Sequence, residues 1–150
     1  MIIMKRVDAH TTQPGRILAL DLGKRRIGLA LSDPLGITAQ GLPTFERTNI
    51  QEDLARMTGI ISEHGVTEIL MGNPLHMSGN EGRQAEYTRE FAERLEAASG
   101  VPIVYWDERL TTVAAQRVLH DSGISSRKRA QAVDRLSAVI LLESYLDSAR

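Results

Sequence analysis

The chain has 150 residues, 18 lysines and arginines against 19 aspartates and glutamates, and a net charge of −1. That length supports one domain with a proper core, while the near-zero charge argues against a protein that coats nucleic acid non-specifically, because such affinity comes mostly from neutralising phosphates. The absence of cysteine excludes a disulfide framework and a thiolate metal site and fits a reducing cytoplasm, and no run reads as a signal peptide or a membrane span.

Met1 to Gly15 is polar after its first residues and ends at a Pro14-Gly15 break, so it is expected to be a flexible extension ahead of a single domain over 16–150. Arg16 to Asp33, RILALDLGKRRIGLALSD, then sets two apolar runs, Ile17 to Leu22 and Ile27 to Leu31, on either side of Gly23-Lys24-Arg25-Arg26. Apolar runs of that length bounded by glycine and charge predict a β-hairpin. Asp21 lies within the first run, where a lone buried charge costs several kcal/mol, on the order of an ion's desolvation. Two compensations stand open: a structural hydrogen bond, for instance to the turn amides after Gly23, or a divalent cation shared with other carboxylates.

Asp33-Pro34-Leu35-Gly36 reads as a turn in which Asp33 hydrogen-bonds the local backbone. Ile37 to Phe45, interrupted by Gly41 and Pro43, suits an edge or bulged strand. Asn49 with Glu52 three residues on forms a capping box, and Leu54, Met57, Ile60 and Ile61 follow at helical spacing until Gly65. His64 falls in the last turn, a helix-end position.

Glu68 to Met71 predicts a short buried strand, followed by a glycine-rich loop through Gly82 that includes His76. A helix from about Arg83 to Ala98 carries Tyr87, Phe91 and Leu95 as a core stripe. Pro102 to Trp106 is the next strand and delivers Asp107-Glu108-Arg109 at its end. Thr111 or Thr112 caps a helix through about His120, and a final helix from Ser125 or Ser126 carries Val133, Leu136, Val139, Ile140, Leu141, Leu142, Tyr145 and Leu146 on nearly all sides, which predicts full burial. The order of elements predicts an α/β protein with a mixed five-stranded sheet flanked by helices, the first strand central and the later strands parallel.

Asp21, Glu108 and Asp134 stand out as three acids that this topology can bring to one end of the sheet. Clustered carboxylates repel unless a counter-charge joins them. Mg2+ or Mn2+ prefers carboxylate and water oxygens, and a pair of ions supports phosphodiester displacement. Spacing alone is a weak signal, since acidic triples also arise by chance among 19 acids.

The motifs add specificity. Ala19-Leu20-Asp21-Leu22-Gly23 with Arg26-Ile27-Gly28-Leu29-Ala30-Leu31-Ser32-Asp33, then Gly72-Asn73-Pro74 with Gly79, then Asp107-Glu108-Arg109-Leu110-Thr111-Thr112, then Val133-Asp134-Arg135-Leu136-Ser137-Ala138, resemble the YqgF family. These are RuvX-type Holliday-junction resolvases, also described as pre-16S ribosomal RNA nucleases. The resemblance implies an RNase H-like fold and a metal-dependent phosphodiesterase with Asp21, Glu108 and Asp134 as catalytic and metal-binding residues for Mg2+ or Mn2+, with two ions expected. It also implies nucleic acid as partner, with Arg26, Arg109, Thr111 and Thr112 at motif positions on the substrate side. Arg109 reads as a phosphate contact, an orienter of Glu108 or a structural ion pair. Lys24 adds a base to the hairpin turn where the family often has a smaller residue, and is counted with the phosphate contacts.

The implied reaction is hydrolysis at the 5′ end of precursor 16S ribosomal RNA in the cytoplasm, with the branched DNA of a Holliday junction as the competing substrate. A resolvase that cuts two symmetric strands would favour a homodimer. Two other readings differ in class: a non-catalytic nucleic-acid-binding factor with a vestigial acidic site, and an actin-like kinase or ATPase, whose phosphate-binding hairpin is similar but which clamps nucleotide between two domains.

Overall fold

The computed structural model describes residues 15–73, 82–106 and 126–148, with the side chains of the last stretch described from Asp134 onward. The expected N-terminal extension (1–15) except its last residue, Gly15, together with the loop containing His76 and the expected helix over 111–120, lies outside the described residues. The described residues include five strands: β1 (Arg16–Leu22), β2 (Arg26–Ser32), β3 (Ala39–Glu46), β4 (Val66–Gly72) and β5 (Ile103–Trp106). The helices among the described residues are α1 (Ile50–His64), α2 (Gly82–Ser99) and α3 (Ser126–Ser148). The strands form one mixed sheet in the order β3-β2-β1-β4-β5. β1 runs antiparallel to β2 and parallel to β4, and β5 is parallel to β4. The expected sheet, with the first strand at its centre, is therefore the observed one.

Side chains alternate across a strand, and here the two faces differ in size. One face carries Leu18, Leu20, Leu22, Ile27, Leu29, Leu31, Ile69 and Met71, packed with Met57 and Ile61 of α1 and Phe91 and Leu95 of α2. Each such fully buried aliphatic side chain contributes about 1.5–3 kcal/mol of transfer free energy before chain entropy is subtracted. The opposite face carries Ala19, Ala30 and Leu70, packed with Ala138, Leu141, Leu142 and Leu146 of α3. Because β1 is covered on both faces, its sequence reads as a continuous apolar run instead of an alternating one.

Local signals account for the element ends. The Asn49 side chain accepts from the Glu52 amide at 2.9 Å, and Glu52 in turn accepts from the Thr48 hydroxyl at 2.7 Å. At the other end of α1, Gly65 takes the left-handed conformation (φ +64°) and its N–H reaches back to the last turn, a C-terminal cap that favours glycine. β3 is the sheet edge, as its Gly41 and Pro43 suggest, and its register with β2 shifts between Ile27 and Leu29.

One expectation is corrected. α3 is not buried on all sides: Ala138, Leu141, Leu142 and Leu146 are buried, but Arg135, Glu143 and Asp147 are exposed. The helix lies on one face of the sheet, so only the stripe facing the strands needs apolar cover. The density of apolar residues masked the charged positions that mark its solvent side.

The turn after β2 is organised by Asp33, as expected. Its carboxylate accepts backbone N–H groups from Leu35 at 3.2 Å and from Ile37 and Thr38 at 2.7 Å. These bonds, that from Thr38 foremost, hold the carboxyl below the ordinary aspartate pKa, because they favour the ionised form. A depressed folded pKa stabilises the turn above the ordinary aspartate value, and that stabilisation is lost as pH falls through the lowered value. In an NMR titration the Ile37 and Thr38 amide protons are expected to shift with a midpoint below the ordinary aspartate pKa. A midpoint at or above it would contradict this role.

Candidate active site

Asp21 is half-buried near the end of β1, and strand alternation places it on the same face as Ala19, the face covered by α3. Its partner across the antiparallel ladder is Gly28. A Cβ at Gly28 would stand 2.0 Å from the Asp134 carbonyl oxygen and 2.4 Å from its carbonyl carbon, distances that no real side chain occupies. The α3 backbone therefore rests directly on the missing side chain, which brings Asp134 over the Asp21–Gly28 pair. Gly41 on β3 continues the trough: a Cβ there would meet Arg135 Cγ at 2.8 Å and Val139 Cγ2 at 3.3 Å. Small residues on this face, Ala19, Gly28, Ala30 and Gly41, let the helix approach where larger ones would hold it off.

Arg26, two residues before Gly28 and so on the same face, pairs with Asp134. Its Nε lies 3.0 Å from Asp134 Oδ2, and the two side chains are 24% and 20% exposed. Burial pushes the Asp134 carboxyl above the ordinary aspartate pKa, and the hydrogen bond and charge of Arg26 pull it partly back. Partial desolvation beside a fixed cation is typical both of functional carboxylates and of structural pairs.

Lys24 and Arg25 are exposed at the tip of the β1–β2 turn. The turn is closed by Gly23 N–H donating to the Arg26 carbonyl at 2.9 Å. Arg47 braces it from outside. The Arg47 amide donates to the Arg25 carbonyl at 2.8 Å, its guanidinium donates to the Gly23 carbonyl, pairs with the buried Asp53 at 3.6 Å, and stacks 4.4 Å from the centroid of the Tyr87 ring. Nothing in the local periodicity around Glu46 to Asn49 signalled this. The only sequence cue was Asp53 in the first turn of α1, where an acid favours the helix dipole.

At the same end of the sheet, Leu20 pairs with Met71, Gly72 pairs with Trp106, and the Asn73 amide donates to the Trp106 carbonyl at 2.9 Å. β5 thus ends level with Asp21. Glu108, Arg109, Thr111 and Thr112 lie outside the described residues. Among the described residues no group of three or more His, Cys, Asp or Glu side chains is placed to hold a metal; two of the three expected ligands, Asp21 and Asp134, belong to them. Those two fit a hard divalent ion in kind, offering carboxylate oxygen alone at a half-buried position.

The architecture is RNase H-like, an α/β fold with a mixed five-stranded sheet between helices. T. thermophilus RuvC, solved in complex with a Holliday junction substrate, shares it with a TM-score of 0.59 over 90% of this chain and 96% of that one, at 12% sequence identity. A family model described as RuvX, Holliday junction resolvase, matches residues 15–148. A protein of Koribacter versatilis named "Putative pre-16S rRNA nuclease" is 53% identical over 133 residues, 89% of this chain and 87% of its own length. One of Moorella thermoacetica with the same name is 49% identical over 132 residues, covering 88% and 94%. The chain belongs to the RuvX family of nucleases.

Proposed function

We propose that the protein is a metal-dependent endonuclease of the cytoplasm that hydrolyses phosphodiester bonds at the 5′ end of precursor 16S ribosomal RNA. The observation that carries the reading is the helix-to-strand contact at Gly28, which sets Asp134 over the strand pair that holds Asp21. The names of relatives 45–53% identical to this chain support the RNA substrate.

In this reading Asp21, Glu108 and Asp134 hold Mg2+ or Mn2+, two ions in all. The ions, when bound, supply a water nucleophile at neutral pH and neutralise charge on the reacting phosphate. The protein's own residues bind and orient. Lys24 at the exposed hairpin tip draws the phosphate backbone toward the site. Arg109 contacts substrate phosphate or orients Glu108, and Thr111 and Thr112 donate hydroxyl hydrogen bonds to the same backbone. Arg47 keeps the hairpin tip in register with α1.

Branched DNA is the second reading, favoured by the description of the family model as a Holliday junction resolvase. Symmetric cutting of a junction would call for a two-fold dimer. Both readings are tested by incubating the protein with a 5′-extended precursor 16S RNA and with a four-way DNA junction, each with Mg2+, Mn2+ or chelator. Metal-dependent trimming of the RNA in preference to the junction is expected. Preferential cutting of the junction would overturn the RNA assignment, and binding of either substrate without cutting would point to a non-catalytic factor.

A further inference from the structure

We propose that Arg26 is the resident counter-ion of Asp134 in the metal-free protein, and that a divalent cation loads by displacing the Arg26 guanidinium from that carboxylate. The inference rests on the reading of Asp134 as a metal ligand.

Three observations lead to it. First, the pair is built by the fold. Arg26 and Gly28 stand on the same face of β2, and the close approach at Gly28 delivers Asp134 from a position 108 residues away to 3.0 Å from Arg26 Nε. Second, the pair is partly desolvated, at 24% and 20% exposure, so the carboxylate needs a compensating charge whether or not metal is present. Third, the arginine approaches with Nε on Oδ2, one of the two oxygens through which the carboxylate would bind an ion. A cation on the same carboxylate would stand within a carboxylate's width of the guanidinium, and like charges that close repel strongly where water is partly excluded.

Arg26 is therefore a positioning residue with a defined cost to loading. It holds Asp134 aimed at the strand pair before the ion arrives, and it must leave when the ion does. Its guanidinium is then free to turn to substrate phosphate, the role that its motif position implies. Ion binding and phosphate binding become linked through one side chain: each favours the arrangement in which Arg26 has left Asp134.

Mn2+ titrated calorimetrically into chelator-treated full-length protein, without nucleic acid, tests this. Arg26→Gln is expected to bind Mn2+ at least about tenfold more tightly than wild type, because the competitor is gone. Arg25→Gln removes the same charge from the exposed turn, away from Asp134, and is expected to change affinity by less than about twofold, since exposed charges are screened. Melting adds a second readout. Arg26→Gln should melt below wild type in chelator, and saturating Mg2+ should close that gap.

Equal or weaker Mn2+ binding by Arg26→Gln would overturn the inference, since it would mean that guanidinium and ion share the carboxylate. An equal gain from Arg25→Gln would overturn it too, by reducing the effect to net charge. If Arg26→Gln does not fold, Arg26→Met serves: it removes the charge but keeps the apolar stem that packs at this half-buried position, and tighter Mn2+ binding than wild type is again expected, with unchanged binding overturning the inference. Asp134→Asn separates the two levels. Loss of Mn2+ binding in that variant alongside no gain in Arg26→Gln would sink the displacement alone, whereas undiminished binding in Asp134→Asn, or no binding by wild type, would sink the reading of Asp134 as a ligand.

Discussion

Asp21→Asn is expected to lower metal-dependent cleavage by about a thousandfold or more while leaving the fold in place. With Asp21 as a metal ligand, as proposed, its loss removes charge stabilisation worth several kcal/mol in the transition state, and each ~1.4 kcal/mol is tenfold in rate. The substitution is isosteric, and β1 is held by backbone ladders to β2 and β4 on either side. Its melting temperature should stay within about 4 °C of wild type, the shift that ~1 kcal/mol produces in a chain of this size. Single-turnover cleavage with saturating Mn2+, beside a thermal melt, checks both halves. Cleavage at the wild-type rate would remove Asp21 from the site, and a variant that no longer folds would mean that its carboxylate is structural.

Gly28→Ala should have the next largest effect, although it alters no carboxylate. The added Cβ would lie 2.0 Å from a backbone carbonyl oxygen of α3, and backbone cannot rotate aside as a side chain can. The helix must move by roughly an ångström, a displacement that can cost about a hundredfold in rate when it misplaces a catalytic group. Overpacking of this kind also destabilises by about 1–3 kcal/mol. Gly41→Ala provides the contrast, because its new Cβ would meet only side chains: Arg135, whose rotatable stem can swing aside, and Val139 at 3.3 Å, which need give by only a few tenths of an ångström. Cleavage assays on the two variants are expected to show a loss of about a hundredfold for Gly28→Ala and less than about threefold for Gly41→Ala. Equal activity in the two would contradict the view that the trough positions Asp134.

Much of this fold is written locally. The apolar runs around Gly23 to Arg26, the cap at Asn49, the glycine at 65 and the stripe of Tyr87, Phe91 and Leu95 each act over a few residues, and each yields the element expected of it. The central place of β1 follows from its continuous apolar run together with the Asp21 motif. What was not legible is what joins distant segments. In sequence Gly41 reads as an interruption of a strand and Gly28 only as a motif position, and only the sheet shows that they are places where a helix backbone or side chain must fit. Arg26 and Asp134 are 108 residues apart, beyond the reach of any periodicity, and Arg26 was expected to face substrate rather than an acid of the same chain. Arg47 gathers Gly23 and Arg25 of the hairpin turn, Asp53 of α1 and Tyr87 of α2 from three separate segments, and no motif marks it. The overstated burial of α3 has the opposite origin, a local composition so apolar that its exposed stripe was overlooked.

The central claim is that the acids at this end of the sheet share divalent ions. Crystals grown in chelator and then soaked in Mn2+, with data collected at a wavelength where manganese scatters anomalously, test it most directly. Anomalous peaks directly coordinated by Asp21 and Asp134 are expected, with Glu108 completing the ligand set. Full Mn2+-dependent cleavage in solution with no manganese between Asp21 and Asp134 in the crystal would contradict it.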